Sequence, residues 1–454
     1  ARRLEVPGAR GIVAGRKRIV DRRTFSRVCA LSTAAWGSAA LAVGQTSPDG
    51  SPRPNGIAAE PAAAGPTAAA GQAPATTPNP ADAVEAVSVQ EAVNVQEYEQ
   101  RARAVLPQAT FEYIRGGSAD EITLRENVRA LRRIQILPPL MHGVSAPDLS
   151  TRVLNQALSL PVLLAPVAAQ RMYHPQGALA AARAAAALGT VYCMSSSVGH
   201  SVEEVAGASP GPKWFQLYVP KDRQVARRLV ERVERAGYGA VIVTVDLGEW
   251  KDADRRNRFA LPREFMLKHL RDIGFTQVTD AMSDEALMAW NAQAWDLSLS
   301  WDFFDWLRGI TKLPLLIKGV LRPDDAAKAV SLGLDGIVVS NHGGRRLDGM
   351  PATIDMLPGV AAAVGQRAAV LMDSGIRRGT DVLKALALGA SAVLIGRPYA
   401  WGLAAQGEAG VRHVLELLRD ELTNAMIATG CAHVRAIDRS LLRWPDRAGP
   451  STRF

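Results

Sequence analysis

Gly336-Ile337-Val338-Val339-Ser340-Asn341-His342-Gly343-Gly344-Arg345 passes from an unbroken apolar run into a polar turn carrying a histidine and an arginine. A short continuous apolar run suits a strand buried on both faces, as in a parallel sheet covered by helices. Just upstream, Asp324 to Leu332 has a helical pattern and stops at Gly333, a residue that takes the left-handed cap conformation cheaply. The same unit of helix, glycine stop and strand recurs three times. Ala181 to Leu188 leads through Gly189 into Val191-Tyr192-Cys193-Met194, Leu229 to Ala236 through Gly237 into Ala240 to Thr244, and Asp381 to Leu388 through Gly389 into Ala392 to Ile395. Four more runs fill the gaps: Pro161 to Ala165, Trp214 to Val219, Leu315 to Lys318 and Ala369 to Asp373. Strands alternating with helices in this number predict an α/β fold, a (β/α)8 TIM barrel rather than an open doubly wound sheet. No Gly-x-Gly-x-x-Gly follows the first strand to support a dinucleotide-binding sheet. In such a barrel, reactive side chains belong at the C-terminal ends of the strands.

The chain of 454 residues, 48% hydrophobic and 21% charged, has the composition of a globular protein. Its formal charge of +9 is concentrated in the first 30 residues, which leaves the rest near neutral. No basic patch interleaved with aromatics appears further on, so a nucleic-acid partner is not expected. Three cysteines are too few for a disulfide framework, and Cys193 and Cys431 have no metal-ligand spacing, so no metal site is expected.

Residues 1–44 resemble a twin-arginine export signal: Asp21-Arg22-Arg23-Thr24-Phe25-Ser26-Arg27 precedes a modest apolar stretch from Val28 to Val43. Cleavage near Ala42 to Gln45 and a periplasmic or exported location follow as expectations; a membrane anchor is the alternative. Residues 45–91 are rich in Pro and Ala and short of bulky apolar groups, which predicts a disordered linker. The globular domain is expected over 92–447, opening with an N-terminal helical extension that starts near Asn94.

In the turn after Val339, an imidazole titrating near neutrality stands beside a guanidinium able to grip a carboxylate bidentately. A base with an anion clamp suggests chemistry on an acid. The last two strands end in Asp373-Ser374-Gly375-Ile376-Arg377 and Gly396-Arg397, where glycine amides and arginines can hold a phosphate dianion.

These motifs, with Tyr113-Ile114-Arg115-Gly116-Gly117, Ala165-Pro166-Val167-Ala168, His174-Pro175-Gln176-Gly177, Phe215-Gln216-Leu217-Tyr218, Thr244-Val245-Asp246 and Ile317-Lys318-Gly319, resemble the FMN-dependent α-hydroxy acid oxidase/dehydrogenase family from about Asn94 to Arg439. The resemblance implies oxidation of an L-2-hydroxy acid to the 2-keto acid with FMN as cofactor. It makes His342 the base, Asp246 its orienting partner, Tyr218 and Lys318 further catalytic residues, and Tyr113, Tyr218, Arg345 and Lys251 the substrate contacts. Lys318 is also placed at the flavin ring, where it would stabilise charge on the reduced cofactor. Ala165, Pro166, Val167, Ala168, Ser195, Gln216, Thr244 and Ser340 match flavin contacts; Asp373, Gly375, Arg377, Gly396 and Arg397 match the ribityl-phosphate site. By their residue type, the tyrosines and Thr244 are equally compatible with packed interior positions, and His174 with a structural loop.

Two positions depart from the family pattern. Where a second active-site arginine usually follows strand four, the chain reads Leu247-Gly248-Glu249-Trp250-Lys251-Asp252-Ala253-Asp254, with Lys251 as the nearest match. Ser197 stands where glycolate-oxidising members have a bulky aromatic, which predicts room for lactate or longer substrates. Alternatives are a lactate monooxygenase, a mandelate-type dehydrogenase, or a barrel that binds flavin and hydroxy acid without turnover. Oxygen, a quinone and a c-type cytochrome all suit the motifs as electron acceptor. The resemblance implies a homotetramer, and no apolar insertion between strands four and five marks a membrane-docking segment.

Overall fold

A computed structural model describes residues 91–246 and 258–444 of the chain. The export signal, nearly all of the linker and the segment carrying Lys251 lie outside these residues. Eight parallel strands close into a barrel in chain order: β1 Val162–Leu164, β2 Tyr192–Ser195, β3 Lys213–Leu217, β4 Val241–Thr244, β5 Leu315–Val320, β6 Gly336–Val339, β7 Ala369–Met372 and β8 Ala392–Ile395. β8 pairs with β1, Leu394 opposite Leu163, to complete the ring. The four helices expected to precede a glycine stop are observed as Gly177–Ala187, Arg223–Arg235, Pro323–Ser331 and Gly379–Ala387. All four stop glycines, Gly189, Gly237, Gly333 and Gly389, have positive φ, as a left-handed helix terminus requires.

Alternation along the strands separates two cores. Every second strand residue, including Leu163, Cys193, Trp214, Ile242, Leu316, Val338, Leu371 and Leu394, belongs to one buried cluster inside the barrel. The intervening residues, Val162, Leu164, Met194, Phe215 and Val243 among them, pack outward against the helices. Each such side chain contributes roughly 1.5–3 kcal/mol by leaving water. Strand periodicity puts the residue two positions after each interior apolar one on the same side, at the barrel's C-terminal end. Those positions hold Ser195, Gln216, Thr244, Lys318, Ser340 and Asp373, all buried. A greasy barrel interior is therefore roofed by a polar layer.

The N-terminal extension folds as helices Val95–Val105, Gln108–Arg115 and Ile122–Arg133. Asn94 caps the first by accepting the Glu97 N–H at 3.0 Å. This helix packs on the C-terminal one, Arg397–Thr429, which is interrupted at Gln406 and Gly407. There the buried Tyr98 hydroxyl donates to Gln406 Oε1 at 2.9 Å and lies 2.8 Å from His413 Nδ1. Between β4 and β5, helices Arg263–Ile273, Asp284–Gln293 and Asp302–Arg308 stand beside the barrel mouth. Among the described residues no helix is long and apolar enough to cross a membrane.

Candidate active site

The β6 turn forces the site into shape. His342, Gly343 and Gly344 have φ of 57°, 68° and 71°, three successive left-handed residues. A Cβ on Gly344 would lie 2.5 Å from Leu124 N, so only glycine fits against the third N-terminal helix. His342 adopts this region despite its side chain, a cost of the kind that concentrates at functional sites. Its N–H donates to Ser340 Oγ at 3.0 Å, and the amides of Asn127 and Asn341 donate to each other at 2.8 and 2.9 Å to hold the turn.

Here His342 Nδ1 lies 3.0 Å from Asp246 Oδ1 at the end of β4. The carboxylate accepts the Nδ1 proton, which leaves Nε2 free as a base, and the Tyr218 hydroxyl lies 3.4 Å from that atom. Burial pushes the imidazole pKa down to about 4, with Asp246 opposing and Arg346 and Lys318 adding to the shift. Burial acts to raise the Asp246 pKa, but His342, Lys318 and Arg346 outweigh it and hold the carboxyl below its ordinary value. His342 is therefore a neutral base at physiological pH, and Asp246 is charged.

Lys318 Nζ donates to Ser340 Oγ at 2.8 Å and pairs with Asp373 Oδ2 at 2.9 Å. Arg345 Nη1 donates to the carbonyls of Tyr113, Ile114 and Gly116 at 2.7–3.1 Å, and its guanidinium lies over the Tyr113 ring. Tyr113 is itself stacked on Phe259 at 4.1 Å. Arg397 donates to the carbonyls of Ile114, Arg115, Gly116 and Gly343, while the guanidinium of Arg377 lies over Trp401. Burial first, then the charges of Arg345 and Arg377, press the Arg397 pKa well below its ordinary value. Positive charge is thus in excess at the ends of β7 and β8.

These groups surround a cavity of about 1300 Å³, above the ~300–1,000 Å³ usual for one small ligand. Of the site residues named from sequence, Ala165 to Ala168, Tyr113, Tyr218, Lys318, His342, Arg345, Asp373, Gly375, Arg377, Gly396 and Arg397 line it. Ser195, Gln216, Thr244 and Ser340 do not reach its wall and sit in the buried polar layer. The Ser195 hydroxyl donates to Gln216 Oε1 at 3.0 Å, yet Gln216 Nε2 is buried with no acceptor among the described residues. An orphaned amide over a polar layer, with arginines and glycine loops at one end, fits a flat polar ring with an anionic tail. FMN has that form. His174 is a loop residue, its Nδ1 accepting the Gln176 N–H at 3.2 Å.

Among the lining residues that the sequence reading did not single out is Arg346, whose Nη2 donates to the Tyr218 hydroxyl at 2.9 Å. Its signal in the sequence was the doubled arginine at the end of the β6 turn.

Residues 102–444 match the FMN-dependent dehydrogenase family. The chain belongs to that family. It is 48% identical over 353 residues to human 2-hydroxyacid oxidase 1, an alignment covering 76% of the chain and 95% of the relative. It is 49% identical to an L-lactate oxidase of Nostoc sp., across 76% of the chain and 96% of that protein. A crystal structure of mandelate oxidase superposes with a TM-score of 0.70 at 41% identity, covering 78% of this chain and 98% of the other. A chimera of (S)-mandelate dehydrogenase gives 0.71 at 34% identity, covering 77% and 99%.

Proposed function

We propose that this family member oxidises an L-2-hydroxy acid, lactate-like or longer, to the 2-keto acid. The observation that carries the proposal is the Asp246–His342 pair, 3.0 Å apart, opening onto a cavity shared with Arg345 and Lys318. Bound FMN supplies the two-electron acceptor. Arg345 holds the substrate carboxylate, in a plane set by its three carbonyl contacts. Tyr218 and His342 Nε2 meet the hydroxyl-bearing carbon, and Nε2 takes the substrate proton. Asp246 stabilises the imidazolium that results, a service only a charged carboxylate can perform. Such general bases contribute about 10²- to 10⁴-fold.

Residues supporting a larger substrate are Ser197, small where the pocket wall could be bulky, and the apolar side chains of Met288, Trp295, Leu297 and Leu299 on the same cavity. The test is anaerobic mixing of the FMN-loaded protein with glycolate, L-lactate, longer L-2-hydroxy acids and L-mandelate. Bleaching of the flavin by lactate or longer acids ahead of glycolate is expected; no bleaching by any of them would sink the proposal. Readmitting oxygen then reads the acceptor: prompt return of colour assigns an oxidase, and slow return a dehydrogenase serving a quinone or cytochrome.

The proposal extends to an exported homotetramer. Arg22-Arg23 and the apolar stretch after them support export, and likeness to the family supports the assembly. N-terminal sequencing that finds the leader intact on mature protein would refute export, and light scattering gives the subunit number.

A further inference from the structure

Arg346 is a cation in want of an anion. Its Nη2 is fixed on the Tyr218 hydroxyl at 2.9 Å, and its guanidinium lies over the Tyr218 ring, 5.6 Å from the centroid. Its Nε is sealed from solvent and, among the described residues, has no hydrogen-bond partner. A buried donor left without an acceptor is costly, and more so on a charged group. The Tyr218 hydroxyl that Arg346 holds is the one 3.4 Å from His342 Nε2, so the guanidinium stands one hydroxyl away from the base. In a 2-hydroxy acid the carboxylate is attached to the carbon bearing the hydroxyl. A cation beside the base therefore meets the carboxylate.

The balance of charge agrees. Lys318, Arg345 and Arg346 face the cavity around His342; of the acids on its wall Asp373 is already paired with Lys318, Asp296 with Arg223 and Asp325 with Arg322, and Asp246 lies behind the imidazole, off the wall. With Arg258 also on the wall, positive charge is in excess among the described residues there, and a carboxylate would offset it. Arg377 and Arg397 stand apart from this count at the ends of β7 and β8, where a phosphate dianion would take two charges. Arg345, with Nη1 committed to three backbone carbonyls, cannot offer its whole fork to a substrate.

Resting on the hydroxy-acid function proposed above, we infer that Arg346 is a second substrate-binding guanidinium, the edge of its fork that faces the cavity donating to the substrate carboxylate while Nη2 holds Tyr218. The arginine pair on the β6 turn then forms a two-armed clamp, with Arg345 anchored to the N-terminal helices and Arg346 to the tyrosine beside the base.

The experiment uses FMN-loaded R346Q and R346K. Oxalate, a non-reacting carboxylate probe, is titrated against the flavin spectrum, and kcat/KM is compared for L-lactate and its neutral analogue L-lactamide. R346Q keeps an amide donor for Tyr218 but loses the charge. Weaker oxalate binding, on the order of 10- to 100-fold, is expected, with a matching loss for lactate and little change for lactamide. R346K, which keeps the charge without the fork, is expected to fall between. Oxalate affinity within twofold of the unsubstituted protein overturns the inference. So does an equal loss for lactate and lactamide, because a merely structural role would weaken both. Should R346Q fail to load flavin, R346K decides by the same criteria. Failure of the hydroxy-acid proposal shows differently, as unsubstituted protein whose flavin no hydroxy acid reduces.

Discussion

Lys318 and Asp373, on β5 and just after β7, form a buried ion pair with 2.9 Å between Nζ and Oδ2. Burial acts to lower the Lys318 pKa, but the Asp373 and Asp246 carboxylates outweigh it and hold the ammonium charged. Breaking such a pair from one side strands the other charge, at a cost of about 3–5 kcal/mol. Lys318→Met is expected to lower the urea midpoint of the flavin-free protein, and Lys318→Met with Asp373→Asn to recover part of the loss. Equal midpoints for the single and double variants would show the pair to be uncoupled.

His342 has its pKa pushed down to about 4 by burial, so the free enzyme keeps its base unprotonated across the neutral range. Expected is a kcat/KM profile that is level above about pH 6 and falls with unit slope through the region near 4. His342→Gln should lower kcat/KM by about 10²- to 10⁴-fold while FMN stays bound. A profile that instead breaks near the ordinary histidine value of ~6.5 would place the base in a wetter setting.

Two other histidines give an acid dependence of stability. Burial lowers the pKa of His200 and of His269 to about 4. An unfolded histidine titrates near ~6.5, so between these values the unfolded chain binds more protons. The contribution is complete above about pH 6.5 and is lost as pH falls toward 4. His269 lies between Phe265 and Trp295, at ring separations of 6.1 and 6.2 Å, and His269→Phe should flatten the acid limb of thermal stability. An unchanged limb would assign the loss elsewhere.

Ser197 is the place to narrow the cavity. With Ser197→Phe, the ratio of kcat/KM for glycolate over lactate should rise, by roughly 10-fold if one methylene's worth of space is removed. A chain-length series run on both proteins reads it directly.

The barrel was legible because its signals are local. Each stop glycine closes a helix just before an apolar strand, and no distant contact is needed to see either. Strand ends were legible to within two residues, as at β1, expected from Pro161 to Ala165 and observed from Val162 to Leu164. Less local facts were not. That Gln216 sits beneath the cavity floor, its Nε2 without an acceptor among the described residues, follows from barrel curvature, which period-two alternation alone does not give. Arg346 escaped notice because its neighbour Arg345 already answered for an anion clamp, and only its contact with Tyr218, 128 residues away, reveals a task of its own. The helix Asp284–Gln293 went unremarked for a physical reason: only Leu287 on it is buried, so it has no apolar stripe to announce it.

Arg345 and Arg397 reach the carbonyls of Tyr113 to Gly116 across sequence separations of 229–283 residues. Synthesis therefore finishes the acceptors long before their donors exist. Contacts this distant are slow to form, since loop closure precedes any reward. The helical extension leaves the ribosome before any barrel strand, and its carbonyls wait for arginines made far later. A nascent chain cannot acquire a competent pocket until β8 has closed the ring, and loss of the extension would leave a barrel with its two arginines untethered.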